Sequence, residues 1–565
     1  MRSTLLLLLL GMSPPVIHAG LSIVAVDQAG YTTAARKVAI LAAPADSFRV
    51  IHAATRLTVF HGAPRGAATP DPATGLELWK ADFSTLRTPG EYVLFTSTGD
   101  SSQHFMISDS VYHPVFRASL KAFYYQRCGT SLSPAHAGPF GRKDPCHLTD
   151  GIFHSTVPDD SIGRNVTGGW HDAGDYGKYV VNAGVTMGTL LAAYEWFPGK
   201  FASDALNIPE SGNGIPDLVD EARYELLWFL TMQDANGGVF FKVTHENFEG
   251  FVRPEADGGA RHIYPISSTA TANFTAVMAR AARVFSPIDS AFAARCLDAA
   301  VKGWRFLVKN PSIVPAGGFR NPPGTVTGEY GDRNDSDERL WASAELFLAS
   351  GDAGAHRYYT DHYASGGIVT STMTWSDLGA LAHLAYLRGN RPGISTRVQQ
   401  EIRRSLIVYC QSLLQLHDLS GFGSALELQD YIWGSNSQVL NNAVLLIIGG
   451  EEGGSPAFLP AALDQLHHVL GTNAHGQSFV TGIGAKRTMH PHHRPSGSDG
   501  IVEPVPGLIS GGPNRNVKQD PALASRFSSA TPPALCYIDD EASYASNEIA
   551  INWNAPLVFV AGYFH

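Results

Sequence analysis

Two aspartates three positions apart are the first residues in this sequence that could do chemistry. Asp172 and Asp175 lie in the glycine-rich segment 168–179, where a helical pattern of apolar residues begins. Carboxyl groups held this close disfavour joint ionisation, so each changes the pKa of the other. Such a pair can bind a water molecule and accept its proton. The same spacing suits a calcium loop or a helix N-cap, and the segment alone leaves these alternatives open.

A third acidic residue, Glu548, lies near the C-terminus beside an apolar stretch. The pattern predicts a helix over residues 543–562, with Glu548 opening its apolar part. A partly buried carboxyl group has a raised pKa, which suits a general acid. The alternative is a solvated glutamate in the first helical turn, where the helix dipole favours a negative charge.

Cysteine and histidine form a second kind of site. Cys128, Cys146, His147 and His171 give two thiols and two imidazoles, a closed tetrahedral set for a structural zinc ion. Because four protein ligands leave no open coordination position, such a zinc ion would take no part in the reaction. It would instead hold the turn that begins at Asp172. The alternative is a Cys128–Cys146 disulfide. The sequence has five cysteines, so they cannot all pair with one another.

Other polar and aromatic residues are candidates for substrate contact or metal binding. His490, His492 and His493 lie in one proline-rich segment and form an alternative metal-binding group. Trp433 and Tyr544 are candidates for stacking on a substrate, although packing in the core is the default for any single aromatic residue.

The elements that must position these residues fall into two regions. Residues 21–108 contain seven short β-rich runs separated by turns, which predicts a small β-sandwich, with a mixed α+β domain as the alternative. The runs are 23–26, 37–41, 48–51, 57–60, 76–79, 91–95 and 104–107. From about residue 110 onward, eleven amphipathic patterns predict an all-α domain with long loops. The chain is 44% hydrophobic with a formal charge of −10, and it lacks clusters of basic residues. This composition excludes a disordered chain and argues against a nucleic-acid partner.

The N-terminus predicts export. Residues 1–19 combine a basic start, a short apolar run and a small residue at the boundary, as a secretory signal peptide does. We expect cleavage near Ala19 and a secreted or periplasmic protein. We find no run long enough to span a membrane, and nothing in the sequence indicates an oligomeric state.

Several motifs together carry a family resemblance. They occur in this order: DQAGY at 27–31, AFYYQRCG at 122–129, GGWHDAGDYGKY at 168–179, WGSN at 433–436, SFVTG at 478–482, PHHRP at 491–495, PGL at 506–508, GGPN at 511–514 and SYASNEIAINWN at 543–554. The chain resembles glycoside hydrolase family 9, in the subgroup with an N-terminal immunoglobulin-like domain. This resemblance implies an (α/α)6 barrel that hydrolyses β-1,4-glucans, usually cellulose, with inversion. The expected domains are therefore 20–109, immunoglobulin-like, and 110–565, the catalytic barrel.

The resemblance also implies roles for single residues. Asp175 matches the catalytic base, Asp172 its partner in holding water, and Glu548 the catalytic acid. His492 and Arg494 match a pair that contacts sugar hydroxyls. The relatives with this N-terminal domain carry the four zinc ligands, so the resemblance favours zinc over a disulfide.

Calcium is the second expected metal. Asp332, Asp337, Glu338 and Asp377 resemble the family's calcium site, with helix capping as the alternative function of these acids. The run 210–217 with Asp220 is a weaker candidate for a second site. No organic cofactor is expected.

Three competing functions stay open at this point. One is an exo-acting relative, either a cellobiosidase or a glucosaminidase on chitosan-type oligosaccharides. Another is a carbohydrate-binding protein without activity, against which the presence of all three acidic residues counts. The last is a zinc-dependent hydrolase.

Overall fold

A computed structural model describes residues 24–66, 70–158 and 163–565 of the chain. The predicted signal peptide lies outside the described residues. No helix among the described residues is long and apolar enough to cross a membrane.

The N-terminal region is a β-sandwich, as the sequence predicts. Its strands are β1 Val24–Ala25, β2 Gly30–Tyr31, β3 Val38–Leu41, β4 Phe48–His52, β5 Thr58–Gly62, β6 Arg65–Gly66, β7 Trp79–Asp82, β8 Gly90–Thr96 and β9 Phe105–Ile107. One sheet has the order β1-β3-β7-β6 and the other β2-β9-β8-β4-β5. Tyr31, Phe83 and Phe105 pack edge-on or tilted between them, with ring centroids 5.3–5.6 Å apart. Each of the seven predicted runs overlaps a strand, although the run 76–79 reaches its strand only at Trp79.

The larger region is helical. Its long helices are α1 His113–Tyr125, α2 Val180–Trp196, α3 Asp217–Met232, α4 Ser268–Phe285, α5 Ser290–Lys309, α6 Ser336–Ser350, α7 Ala353–His362, α8 Gly379–Arg388, α9 Thr396–Leu419, α10 Ser435–Glu451, α11 Phe458–Val469 and α12 Ile551–Phe564. Short helices occupy Pro134–Ala137, Arg494–Ser498, Pro521–Arg526 and Tyr544–Asn547. The sequence pattern missed α7, because only Ala355 and Tyr359 of that helix are buried and they form no continuous apolar stripe.

Burial divides these helices into two rings, which is the (α/α)6 arrangement that the resemblance implies. The even-numbered helices are buried on almost every side, whereas α1, α5, α9 and α11 bury only one stripe. A helix that is apolar all round belongs inside a core, and an amphipathic helix belongs at its surface. Within the inner ring α2 packs on α4, α4 on α6, α6 on α8, α10 on α12, and α12 on α2.

Short strands tie the loops over this barrel together. They are β10 Ile152–Phe153, β11 Lys178–Tyr179, β12 Val239–Phe240, β13 Lys242–Thr244, β14 His262–Ile263 and β15 Ile266–Ser267. Four of them form a sheet in the order β10-β14-β13-β11, with Lys178 opposite Val243. The segment that follows Asp175 is therefore fixed to β13.

The two regions share a packed interface. Ala25, Ile40 and Leu78 of the sandwich form one apolar cluster with Phe422, Ala474 and Leu535 of the barrel. The Gln28 side chain adds hydrogen bonds to Gly476 and Lys486, each between 2.8 and 3.0 Å. The last sandwich strand ends at Ile107 and α1 begins at His113, so the proposed boundary at residue 109 lies between them.

Candidate active site

A cleft of about 750 Å³ brings the predicted acidic residues together. Asp175 and Glu548 both line it, with the polar residues His492, Arg494, Glu329 and Asn552. Its aromatic lining comprises Tyr179, Phe248, Tyr330, Trp375, Trp433, Tyr544 and Trp553. A concave surface with aromatic walls and a few converging polar groups is typical of a ligand site.

Backbone pairing holds the two acidic segments side by side. Ala173, in the aspartate turn, pairs with Ala550 in an antiparallel bridge. The backbone N–H of Ile551 donates to the Asp172 carbonyl over 2.9 Å. These two contacts join the turn that carries Asp172 and Asp175 to the segment that carries Glu548, although the two are far apart in sequence.

Asp172 is buried, and each of its carboxyl oxygens accepts one hydrogen bond. Asn182 donates to its Oδ1 over 2.6 Å, and the hydroxyl of Tyr330 donates to its Oδ2 over 2.9 Å. Burial and the nearby charge of Asp175 raise the pKa of Asp172 to about 8. Neither donor was identified from the sequence, because α2 and the loop before α6 carry them with no recognisable spacing.

Asp175 faces the cleft. Its Oδ2 accepts a hydrogen bond from the backbone N–H of Gly177 over 3.1 Å and one from the Tyr179 hydroxyl over 3.4 Å. Both contacts are local to the turn, so the turn itself fixes the direction of this carboxylate.

Glu548 differs from the prediction in its backbone. The helix predicted over 543–562 is divided into Tyr544–Asn547 and α12, and Glu548 is extended between them. It pairs with His492 in a parallel bridge, and its carbonyl accepts from the N–H of Gly511 over 2.8 Å. The helix-dipole alternative therefore does not describe Glu548. Burial, followed by the charge of Asp175, raises its pKa well above the usual range for a glutamate.

His492 and Arg494 lie on the same wall as Glu548. The ring of His492 is held by a 2.6 Å hydrogen bond from Nδ1 to the Glu541 carbonyl, and Arg494 is only 5% exposed. Nη1 of Arg494 donates to the carbonyl of Gly174 over 2.9 Å, beside Asp175. The alternative histidine metal site is not formed, because His493 instead bonds to Ser496 and Gln126.

The two predicted aromatic contacts also belong to the cleft. Trp433 is 39% exposed, and its ring lies 5.4 Å from that of Tyr544. The sequence does not identify the other aromatic residues of the lining, since nothing in a sequence separates an aromatic residue of a cleft from one of the core.

The four predicted zinc ligands converge in a buried cluster. Their donor atoms all lie within 4.8 Å of one another, and every cysteine of the chain is a free thiol, so the disulfide alternative is wrong. His147 Nδ1 lies 3.2 Å from His171 Nε2, and Cys128 Sγ lies 3.5 Å from His147 Nδ1. Tetrahedral zinc needs edges of about 3.3 Å between two nitrogens and about 3.6 Å between nitrogen and sulfur, so these residues fit the metal. Cys296, Cys410 and Cys536 are buried thiols, as expected.

The first calcium candidate surrounds the start of α6. Both carboxylate oxygens of Glu338 and Oδ2 of Asp332 are buried without a hydrogen-bond partner. Asp337 accepts from the N–H of Leu378, and Asp377 accepts from Ser371. Unpartnered buried carboxylate oxygens are what a hard cation would satisfy, so this group fits calcium.

The weaker calcium candidate is explained by other contacts. Glu210 forms a two-pronged ion pair with Arg127, with both distances 3.0 Å. Asp217 accepts from Leu206 and Ser211, and Asp220 accepts from Asn213. Protein donors thus occupy these acids.

Comparisons with known proteins agree with this architecture. A model of glycosyl hydrolase family 9 matches residues 112–561, and a model of the cellulase N-terminal ig-like domain matches residues 21–101. Endoglucanase D of Acetivibrio thermocellus is 37% identical over 88% of this chain and 77% of its own. A xyloglucan-specific endo-beta-1,4-glucanase of Bacteroides ovatus is 36% identical over 85% of this chain and 83% of its own.

Solved structures give the same result. A metagenome-derived glycoside hydrolase family 9 endoglucanase superposes with a TM-score of 0.88 at 35% identity, covering 96% of this chain and 98% of the other. A Zn-binding triple mutant of the family 9 endoglucanase J30 has a TM-score of 0.88 at 34% identity, covering 94% and 99%.

The fold and the paired carboxyl groups of the cleft define a glycosidase. The chain belongs to glycosyl hydrolase family 9, in the form that carries an N-terminal immunoglobulin-like domain.

Proposed function

We propose that this enzyme cleaves internal β-1,4-glucosidic bonds of cellulose and related β-glucans with inversion at the anomeric carbon. The observation that carries the proposal is the Ala173–Ala550 bridge, which places the aspartate turn and the Glu548 segment on one cleft. An inverting site needs one carboxylic acid and one carboxylate with room for a water molecule between the carboxylate and the sugar.

Each acidic residue takes a separate part in this mechanism. Glu548, whose pKa is raised well above its usual range by burial, donates its proton to the glycosidic oxygen as the bond breaks. Asp175 accepts a proton from water, and the oxygen of that water attacks the anomeric carbon from the opposite face. Asp172, held by Asn182 and Tyr330, helps to orient the same water.

The cleft wall supplies substrate contacts. Arg494 donates a hydrogen bond to a sugar hydroxyl. The Nδ1 proton of His492 is used by the Glu541 carbonyl, so Nε2 of the neutral ring accepts a hydrogen bond from a sugar hydroxyl. These contacts hold both side chains in place before substrate arrives. Trp433 and Tyr544 offer adjacent ring faces on which a pyranose can pack.

The metals have structural roles in this proposal. Cys128, Cys146, His147 and His171 would hold zinc directly behind the aspartate turn, with no ligand position left for substrate. Asp332, Asp337, Glu338 and Asp377 would hold calcium at the start of α6. The protein residues do the chemistry, and the metals fix loops.

We also propose that the protein is exported, because an intact polysaccharide substrate is found outside the cytoplasm. Residues 1–19 are the signal for it, and cleavage near Ala19 is directly measurable by N-terminal sequencing of the secreted protein.

A substrate panel with product sizing tests the proposal. Cellulose, mixed-linkage glucan, xyloglucan, xylan, chitosan and cello-oligosaccharides are incubated with the enzyme and with Glu548→Gln. We expect a rapid fall in viscosity of soluble β-1,4-glucans and products of mixed length, both lost in the variant. Release of cellobiose alone, or of glucosamine alone, from chain ends would establish an exo-acting enzyme instead. Binding without any turnover would establish a carbohydrate-binding protein.

A further inference from the structure

Glu249 lies against the turn that carries Asp175. It belongs to the segment 245–257 that follows β13, and its side chain is 8% exposed. Its Oε1 accepts a hydrogen bond from the backbone N–H of Tyr176 over 3.1 Å, and the same oxygen lies 2.9 Å from Nε of Arg494. The Glu249 backbone carbonyl accepts from that nitrogen as well, over 3.1 Å.

Arg494 contacts the other side of the same turn. Its backbone N–H and its Nη1 both donate to the carbonyl of Gly174, over 3.0 and 2.9 Å. Gly174 and Tyr176 are the two neighbours of Asp175. The Glu249–Arg494 pair therefore binds the backbone immediately before and immediately after this carboxylate.

The Glu249–Arg494 ion pair and the close packing of the turn both hold this arrangement rigid. A buried arginine is costly without a carboxylate partner, and Glu249 is the partner of Arg494 among the residues that the structure describes. A side chain on Gly174 would place its Cβ 2.1 Å from the carbonyl oxygen of His492, so the turn lies directly against the His492 strand.

The segment that carries Glu249 is itself held in place. The Tyr176 hydroxyl donates to the carbonyl of Val252 over 2.6 Å, and the ring of Phe251 packs edge-on against that of His492 at 5.2 Å. Within the described chain, Nη2 of Arg494 makes no hydrogen bond, which leaves this nitrogen for a sugar hydroxyl.

We propose that Glu249 is a positioning residue for the reaction: with Arg494 it fixes the backbone on both sides of Asp175 and so aims that carboxylate at the attacking water. The inference rests on the proposed function of Asp175 as the base. It assigns Glu249 no contact with substrate.

Steady-state kinetics of Glu249→Gln and Glu249→Ala test this role. We expect kcat on a soluble β-glucan to fall by roughly 10–100-fold, as small misplacements of reacting groups do, while KM changes much less. An aryl β-cellobioside with a good leaving group should not restore kcat, because protonation of the leaving group is not the step affected. Glu255→Gln is the matched control, since Glu255 pairs with Arg253 in the same segment and lies outside the cleft lining. It should retain the activity of the parent.

A double-variant cycle distinguishes positioning from a general loss of structure. If Glu249 acts through Asp175, adding Glu249→Ala to Asp175→Ala lowers kcat no further. Losses that multiply would overturn the inference, as would Glu249 variants with the kcat of the parent beside an inactive Asp175→Ala. Thermal melting confirms that each variant is folded. Full activity in Asp175→Ala itself would instead refute the proposed function, and the inference with it.

Discussion

The hydroxyl of Tyr330 donates a 2.9 Å hydrogen bond to the carboxyl group of Asp172, although 158 residues separate them in sequence. Tyr330 also lines the cleft, and its backbone has a φ of +43°, which is unusual for a residue other than glycine. An unfavourable backbone conformation at a site of this kind points to a function for the side chain that it places there.

Removal of this hydroxyl tests whether it matters for turnover. Tyr330→Phe should lower kcat by roughly 2–10-fold, because a hydrogen bond of this kind contributes about 0.5–1.5 kcal/mol and Asn182 retains the other oxygen. Melting temperature should change little. The measurement is kcat on a soluble glucan, and a variant with unchanged kcat would remove Tyr330 from the mechanism.

The raised pKa of Glu548 predicts an alkaline limit to activity. The acid donates its proton only while protonated, so kcat/KM should fall as pH rises through its pKa, which lies well above the usual range for a glutamate. Glu548→Gln cannot donate and should lose activity on glucans by about 10²–10⁴-fold.

An activated substrate separates this effect from damage to the site. An aryl β-cellobioside whose leaving group needs no proton should still be cleaved by Glu548→Gln, and that variant should lack the alkaline limb. Equal losses on both substrates would assign Glu548 another function.

The proposed zinc site has a carboxylate beside one of its ligands, and removal of that carboxylate tests the site. Nε2 of His147 lies 3.0 Å from Asp257, which also contacts Nε2 of His245 at 2.7 Å. A ligating imidazole commonly donates its second N–H to such a group, and loss of that group costs about 10–100-fold in metal affinity. Asp257→Asn should therefore release zinc to a chelator more readily than the parent, with Glu255→Gln as the control. Equal affinity in all three proteins would contradict this role.

Removal of zinc also separates a structural metal from a catalytic one. Because the four ligands leave no open position, loss of activity during chelation should follow loss of the folded state, measured by circular dichroism. Loss of turnover in a fully folded protein would favour the zinc-dependent hydrolase.

The proposed calcium site predicts a melting temperature that depends on calcium. Addition of calcium to protein dialysed free of calcium in a buffer that keeps zinc present should raise its melting temperature, since a ligand at 100 times its Kd stabilises the folded state by about 2.7 kcal/mol. Glu338→Gln should abolish this shift, because both oxygens of Glu338 have no other partner. Asp220→Asn alters the weaker calcium candidate and should retain the shift in melting temperature. Loss of the shift in Asp220→Asn but not in Glu338→Gln would assign calcium to the weaker candidate instead.

Sequence patterns predicted most of the architecture. Buried helices such as α2 and α12 are apolar over long runs, and the sandwich strands have clear turns between them. The sequence does not predict helix α7, because few of its residues are buried. It predicts one continuous helix over 543–562, because an apolar run gives no sign of the extended backbone at Glu548.

The site was predictable where the residues form a local motif. The aspartate turn and the zinc ligands are recognisable by type and order, whereas Asn182, Tyr330 and Glu249 act through contacts across the fold. Tertiary packing alone brings Tyr330 to Asp172 and Glu249 to Arg494. No spacing in a single sequence encodes such pairs.

The central claim is that water, activated by Asp175, attacks directly while Glu548 protonates the leaving group. Proton NMR of the first sugar released from a cello-oligosaccharide, recorded before mutarotation, measures this directly. We predict that the new reducing end is the α-anomer, because a single displacement inverts the β-linkage. A β-anomer as the first product would show retention through a covalent intermediate and would contradict the account.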